Sequence, residues 1–155
     1  MGREIERKFL VVGEGWRESV VATKRLRQAY IARTDRLSAR VRVVDGQAAF
    51  LTIKSAEPGL VRAEYEYALP VEDALELVEL RQGQMIEKTR HIVEIADARW
   101  EVDVFSGTHQ GLVIAEIELA DADAVFEQPE WLGREVTADP SYYNANLAFA
   151  DRPPQ

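Results

Sequence analysis

The chain of 155 residues contains no cysteine. This absence excludes a disulfide framework, a thiol nucleophile, and any zinc or iron–sulfur site built on thiolates. Only two histidines are present, His91 and His109. Neither is predicted to bind a metal, because His91 alternates out of phase with the charged positions of its strand and His109 lies in a turn. The sequence also lacks G-x-x-x-x-G-K-[ST], which excludes a P-loop.

Long hydrophobic runs are missing as well. The apolar run at residues 9–12 is far too short for a signal peptide or a membrane-spanning helix. The chain has 19 Lys and Arg residues against 27 Asp and Glu residues, which gives a formal net charge of −8. A chain this acidic binds nucleic acid and anionic membranes poorly. We therefore expect a cytoplasmic protein that binds neither nucleic acid nor membrane.

Internal repeats, low-complexity segments and linkers are also absent from the sequence. A length of 155 residues suits one domain. We predict a single domain over residues 1–150, followed by a loose C-terminal tail at residues 151–155.

What the sequence does contain is a series of short strand-like segments separated by turn signals. Asp45-Gly46, between two alternating segments, is a strong hairpin signal. Eight strands are predicted, at residues 3–11, 22–33, 37–44, 47–54, 60–69, 85–95, 99–105 and 112–119. Short helices are predicted at residues 70–80, 121–126 and 140–150. Consecutive strands with few helices favour a mainly β (α+β) fold, either a barrel or a strongly curved sheet, with short helices packed outside.

The polar faces of these strands carry ionic side chains at nearly every position, since residues two apart share a face. Pairs of like charge recur at this spacing: Glu4/Glu6, Arg40/Arg42, Glu64/Glu66, Lys88/Arg90 and Glu116/Glu118. For any one strand, the simplest interpretation is a solvated outer face. Adjacent like charges, however, destabilise a sheet unless a partner or ligand neutralises them. If the sheet closes with these faces inward, the interior must hold water, ions or a highly charged ligand.

The two kinds of charge suggest which ligand. The cations are suited to phosphate oxygens: Lys8, Arg40, Arg42, Lys54, Lys88 and Arg90. The carboxylates would repel phosphate directly but suit Mg²⁺ or Mn²⁺: Glu4, Glu6, Glu64, Glu66, Asp103, Glu116 and Glu118. Together they indicate a metal-assisted site for a short chain of phosphates.

The run at residues 4–8, read as E-x-E-x-K, resembles the signature of the CYTH family, the triphosphate tunnel metalloenzymes. The rest of the family pattern is similar and in the same order: R-x-R at Arg40/Arg42, a strand-ending Lys54, E-x-E at Glu64/Glu66, K-x-R at Lys88/Arg90, Asp103, and E-x-E at Glu116/Glu118. An E-x-E-x-K alone is a weak signal, whereas the ordered set spans nearly the whole chain.

The resemblance implies a closed eight-stranded antiparallel β-barrel, a tunnel that takes up a triphosphate and hydrolyses or rearranges it. It implies that phosphates are bound by Lys8, Arg40, Arg42, Lys54, Lys88 and Arg90. It implies metal contacts mostly from Glu4, Glu6, Glu116 and Glu118, with Glu64, Glu66 and Asp103 as further ligands or supporting groups. The chain looks similar to compact bacterial members that convert inorganic triphosphate to pyrophosphate and phosphate. The alternatives are hydrolysis of nucleoside or thiamine triphosphate, a class IV-type adenylyl cyclase reaction, and non-catalytic binding of polyphosphate.

The predicted chemistry is transfer of a terminal phosphoryl group to water, which needs mainly positioning and charge neutralisation. We expect two divalent cations, Mg²⁺ or Mn²⁺, one bridging the phosphate chain and one orienting or acidifying the attacking water. A glutamate such as Glu118 or Glu66 is the simpler choice for the base. Lys88 with a depressed pKa, helped by Tyr30 if that residue faces the tunnel, is the alternative.

We also predict a homodimer. Few helices are available to cover the apolar outer positions Val41, Val43, Trp100 and Val102. A contiguous apolar patch left exposed usually marks an interaction surface.

Overall fold

A computed structural model of the protein describes residues 2–56 and 61–154, apart from the side chain of Glu4. The strands there are β1 (Gly2–Val11), β2 (Val20–Arg33), β3 (Leu37–Val44), β4 (Ala48–Ser55), β5 (Val61–Leu69), β6 (Gln82–Ile95), β7 (Ala98–Ser106), β8 (Val113–Glu118) and β9 (Leu132–Glu135). The predicted start of the fifth strand, Leu60, and the end of the predicted tail, Gln155, lie outside the described residues.

The first eight strands form a closed antiparallel barrel, in the order β1-β5-β4-β3-β2-β6-β7-β8 and back to β1. Strand β1 closes the ring, because residues 2–5 pair with β5 and residues 6–10 pair with β8. The predicted closed eight-stranded barrel is therefore confirmed. Strand β9, which the sequence did not predict, extends the sheet along the last residues of β1.

The β3–β4 hairpin shows how the local sequence sets the register. Asp45 and Gly46 have φ angles of +52° and +68°. Both central residues of a type I′ turn need positive φ, which Asp and Gly tolerate best. The turn places Arg42 opposite Phe50 and Arg40 opposite Thr52. The predicted hairpin is therefore present, and it aligns the arginine pair with β4.

Two of the three predicted helical segments are helical. Helix α1 (Val71–Leu77) continues as a 3₁₀ turn over Val78–Leu80. A 3₁₀ turn (Pro140–Tyr142) precedes helix α2 (Asn144–Leu147). The helix predicted at residues 121–126 is wrong, because the side chain of Asp121 accepts the backbone N–H of Asp123 at 2.9 Å and forms a local turn instead. No helix in the described residues is long and apolar enough to cross a membrane.

The outer faces of the barrel are covered by the chain itself. Helix α1 packs Ala74 against Val41 and Val43. Trp131 stacks edge-on against Trp100 with ring centroids 5.5 Å apart. Val41, Val43, Trp100 and Val102 are all at most 6% exposed within one chain. The expectation that these faces are uncovered is wrong, so the argument for a homodimer loses its basis.

One end of the barrel interior is apolar. Tyr30, Ile86 and Phe105 point inward there and form one buried cluster with Tyr142 and Leu147. The last two come from the C-terminal segment, which packs across this end. The ionic groups occupy the rest of the interior. The barrel therefore holds a cavity that is closed at one end by an apolar layer.

Candidate active site

A cavity of about 530 Å³ occupies the ionic part of the barrel. Its cations are Arg3, Arg40, Arg42, Lys54 and Arg90. Its carboxylates are Glu6, Glu64, Glu66, Glu101, Glu116 and Glu118. Asn144 of helix α2 completes the lining. Ionic groups from strands far apart in sequence therefore share a single concave space.

Most of the side chains that the sequence singled out lie on this cavity. The exceptions are Lys8, Lys88 and Asp103, which are buried within the wall at 4%, 2% and 1% exposure. Tyr30 lies deeper, in the apolar layer. Of Glu4, only the backbone belongs to the described residues, so its predicted metal contact lies outside them.

The most tightly connected group is Asp103 with its two cations. Nζ of Lys88 lies 2.7 Å from Oδ2 of Asp103. Nε and Nη2 of Arg90 donate to Oδ1 and Oδ2 of Asp103 at 2.8 and 2.9 Å. Both carboxylate oxygens of Asp103 thus contact cations. The two parallel hydrogen bonds from Arg90 fix the orientation of its guanidinium group. The alternation of strands β6 and β7 places all three side chains on the inner face.

This burial changes the protonation of the group. Desolvation lowers the pKa of Lys88 to about 7, with Arg90 and Arg42 adding to the effect and the Asp103 carboxylate opposing it. For Asp103 itself, burial alone would raise the pKa, but Arg90 and Lys88 hold that pKa well below its usual range. Lys88 is therefore an amine that loses its proton near neutral pH beside a carboxylate that stays ionised.

Lys8 and Glu116 form a second buried pair, opposite one another on β1 and β8. Nζ of Lys8 lies 3.6 Å from Oε1 of Glu116. Burial alone would raise the pKa of Glu116, but Lys8 and Arg90 lower it to about 2. Burial likewise acts to lower the pKa of Lys8, and the charges of Glu116 and Glu6 raise it overall. This pair stays doubly ionised at neutral pH.

The arginine pair on β3 is held from both sides. Nε of Arg42 donates to Oε1 of Gln28 on β2 at 2.8 Å. Nη2 of Arg40 donates to Oγ1 of Thr52 on β4 at 3.3 Å. Burial, with Arg40 and Arg90 close by, lowers the pKa of Arg42. Two guanidinium groups kept this close indicate a site prepared for an anion.

Carboxylates face each other directly across the β1–β8 and β7–β8 ladders. Glu6 is opposite Glu118, and Glu101 is opposite Glu116. Burial raises the pKa of Glu101, and Glu116 adds to the rise while Arg90 opposes it. Oxygen donors of this kind fit a hard divalent cation. In the described part of the chain, no three acidic or histidine side chains already converge on one point.

The C-terminal segment contacts the cations of the barrel, and no sequence pattern predicted these contacts. Oδ1 of Asn144 accepts a hydrogen bond from Nζ of Lys88 at 3.2 Å. The ring of Tyr143 lies 5.5 Å from Nζ of Lys8 and 5.3 Å from the guanidinium carbon of Arg62. These residues follow no strand periodicity, so only the chain path places them here. Gln28, Thr52 and Glu101 were also missed, although each lies two residues from a position on the inner face.

His109 holds this C-terminal segment in place. It is 2% exposed, and its Nε2 lies 2.7 Å from the carbonyl oxygen of Leu147 in helix α2. We expect His109→Phe to lower the free energy of unfolding by about 1 kcal/mol and the Tm by about 2–4 °C. Thermal unfolding followed by circular dichroism measures this, with Gln110→Ala, an exposed neighbour, as the control. An unchanged Tm in the His109 variant would show that the contact contributes no stability.

Three other polar side chains lie outside the lining of the cavity. His91 stacks on Trp16 with ring centroids 4.9 Å apart. Arg134 donates to the hydroxyl of Tyr142 at 3.3 Å. Arg62 is paired with Glu6 at 3.3 Å. Both histidines contact aromatic rings and lie outside the lining of the ionic cavity.

Comparison with known proteins gives a consistent result. The model of the CYTH domain matches residues 2–147. An inorganic triphosphatase from Acetivibrio thermocellus is 47% identical over 95% of this chain and 94% of its own length. An inorganic triphosphatase from Nitrosomonas europaea is 38% identical over 95% of this chain and 97% of its own length. The crystal structure of an inorganic triphosphatase superposes with a TM-score of 0.69 at 35% identity, covering 98% of both chains.

The family model and these relatives cover almost the whole chain. The chain belongs to the CYTH family.

Proposed function

We propose that the protein hydrolyses inorganic triphosphate to pyrophosphate and phosphate with the help of a divalent cation. The observation that carries this proposal is the single cavity on which arginines and a lysine alternate with carboxylates. The cations neutralise the charge of a bound polyanion. The carboxylates would repel that polyanion unless a divalent cation binds between them. The two relatives named inorganic triphosphatase, at 47% and 38% identity, support the choice of substrate.

The cations divide by their position. Arg40, Arg42, Lys54 and Arg90 line the cavity and would contact phosphate oxygens directly. Lys8 and Lys88 lie in the wall and would act on phosphates drawn deep into the barrel. Because this positive charge is fixed before the substrate arrives, little reorganisation is needed as the terminal phosphoryl group leaves.

The metal contacts we propose are Glu6, Glu116 and Glu118, with Glu64, Glu66 and Glu101 as neighbouring carboxylates. Glu4 keeps its place in the proposal on the sequence pattern. When bound, Mg²⁺ or Mn²⁺ would neutralise charge on the phosphate chain and make a water molecule more acidic. Asp103 is assigned a different part, because both of its oxygens are held by Lys88 and Arg90. It orients these two cations.

For the base we propose Lys88 ahead of Glu118. An amine with a pKa of about 7 is half deprotonated at neutral pH and can accept the proton of the attacking water. Lys88 donates to Asn144, which itself lines the cavity, so the amine lies within the wall and next to a lining residue. Glu118 is exposed to solvent and is the alternative. That Tyr30 assists the proton transfer also stays a prediction. Its ring packs in the apolar layer.

A second substrate class is favoured by one further observation. A cavity of about 870 Å³ adjoins the first and shares Glu101, Glu116 and Glu118 with it. Its other walls include Leu119 and Phe126. This space could take the organic group of a nucleoside or thiamine triphosphate, whose phosphates would lie in the ionic cavity.

Phosphate release from inorganic triphosphate, ATP and thiamine triphosphate tests the proposal, with Mg²⁺, with Mn²⁺ and without metal. We expect inorganic triphosphate to be the best substrate and release to depend on metal. Faster release from an organic triphosphate would favour the second class. Tight binding of triphosphate with no release under any condition would leave a non-catalytic polyphosphate binder.

Arg42→Ala is expected to lower kcat/KM for triphosphate by about 100-fold to 1,000-fold, a size typical of losing one preorganised charged donor. Its position on the cavity between Gln28 and Arg40 is the reason. The matched control is Arg36→Ala, an exposed arginine in the loop before β3. Equal kinetics for the two variants would remove Arg42 from the substrate site.

A further inference from the structure

Gln28 is a fully buried amide in the middle of the barrel, at 0% exposure. Its Oε1 accepts from Nε of Arg42 at 2.8 Å. Its Nε2 has no hydrogen-bond partner among the described residues. A buried donor left unsatisfied destabilises the fold, so its presence needs a reason.

The orientation of this amide follows from its partner. The Nε–H of arginine can only donate, so the atom of Gln28 that faces Arg42 must be the carbonyl oxygen. The NH₂ group is then directed away from Arg42. Gln28 lies between Arg42 on β3 and Ile86 on β6 in the register of the sheet, which places it where the ionic cavity meets the apolar layer.

A second orphaned donor lies at the next inward-facing position of β3. Nε of Arg40 is also buried without a partner among the described residues, and Arg40 is 6% exposed. Arg40 and Arg42 are two residues apart on one strand and share a face. Two buried donors and no matching acceptor indicate a ligand that brings oxygens and no hydrogens, as a phosphate group does.

We propose that Gln28 binds substrate, donating its amide N–H to an oxygen of one terminal phosphate group at the inner end of the cavity, beside Arg40 and Arg42. This inference rests on the proposed function for the identity of the substrate. It adds a neutral, directional donor to the positively charged residues. Because its contact is with a bound phosphate and not with the attacking water, Gln28 contributes mainly to affinity.

The direct test observes the amide itself in the unaltered protein. With ¹⁵N-labelled protein and inorganic triphosphate but no divalent metal, we expect the Gln28 side-chain resonances to shift and a through-hydrogen-bond coupling to ³¹P to appear. The exposed amide of Gln47 is the internal control and should not move. Saturation with triphosphate that leaves the Gln28 amide unperturbed overturns the inference.

The second test is kinetic. Gln28→Met keeps the length of the side chain and removes the amide, and we expect KM for triphosphate to rise about 10-fold to 100-fold with kcat changed much less. Gln47→Met is the control. A residue that only supports the fold would lower Tm and leave KM unchanged, which would also contradict the proposal.

The two tests separate this inference from the proposed function. If the wild-type protein hydrolyses triphosphate while Gln28 neither shifts nor affects KM, only the inference fails. If the Gln28 amide couples to bound triphosphate but no condition gives phosphate release, the binding subsite stands and the proposed hydrolysis fails.

Discussion

Asp103→Asn is expected to lower the free energy of unfolding by about 3–5 kcal/mol, the usual cost of breaking a buried ion pair. The carboxylate is 1% exposed and bridges Lys88 and Arg90, so its loss leaves Lys88 without its counter-ion and Arg90 with Glu101 alone. Asparagine keeps the shape and one acceptor oxygen, which favours a folded variant. Urea denaturation at pH 7 measures the change.

The same variant should lose activity, because Arg90 would no longer be held by two parallel hydrogen bonds. We expect kcat to fall by about 100-fold or more. The control is Asp97→Asn, an exposed aspartate in the turn between β6 and β7. A folded Asp103 variant with normal stability and turnover would show that the network does not organise the site.

The kcat/KM for triphosphate is expected to rise with pH, with a midpoint near 7 at saturating metal. The profile of kcat/KM reports the free enzyme, and burial lowers the pKa of Lys88 from 10.5 to about 7. The deprotonated amine is the active form of a base, so the rate increases as pH rises through this value. Lys88→Met should lower kcat by about 100-fold to 10,000-fold and flatten the profile.

Lys88→Arg sharpens this test, since it keeps a cation next to Asp103 but supplies no neutral base near pH 7. If Glu118 were the base, replacing Lys88 would leave the pH profile of kcat/KM unchanged. Glu118→Gln, and not Lys88→Arg, would then cause the large loss in kcat. Arg36→Met, on the exposed loop before β3, controls for nonspecific effects of replacing a cation.

The lowered pKa of Lys88 also has a consequence for stability. Between pH 7 and 10.5 the unfolded chain binds the proton that the folded chain has released. Stability rises with pH wherever the unfolded state binds more protons. The contribution of Lys88 should therefore be complete above about pH 10.5 and be lost as pH falls toward 7. Urea denaturation of wild-type protein and Lys88→Met across this window should show the difference in slope.

The strand pattern predicted much of the site because the relevant signal is local. Whether Arg40 and Arg42 share a face depends only on their spacing of two residues. The same holds for Glu116 and Glu118. Closing the sheet then brings such faces together whatever their distance in sequence, and the structure places them on one cavity.

The sequence failed where contacts join segments that no local rule connects. The cover over Trp100 comes from Trp131, and the cover over Val41 comes from helix α1, so the apolar outer faces need no second copy of the chain. The helix predicted at residues 121–126 failed for a different, local reason, because the side chain of Asp121 accepts the backbone N–H of Asp123 and forms a turn.

The inner face illustrates the same limit. Tyr30 and Gln28 alternate with outward residues just as Arg40 does, yet one lies in a dry layer and the other at its boundary with the ions. The position of that boundary depends on the C-terminal segment, which brings Tyr142 and Leu147 across the end of the barrel.

By itself, the sequence determined which ionic side chains share one face of each strand and where hairpins turn, because side-chain alternation and hairpin turns act within a few residues. Only the tertiary structure decided that Asp103 would bridge Lys88 and Arg90, that Asn144 would reach Lys88, and that one end would be sealed. These features depend on cross-strand register and on the path of the C-terminal segment. Desolvation then sets the protonation of each buried charge, and no sequence pattern encodes that.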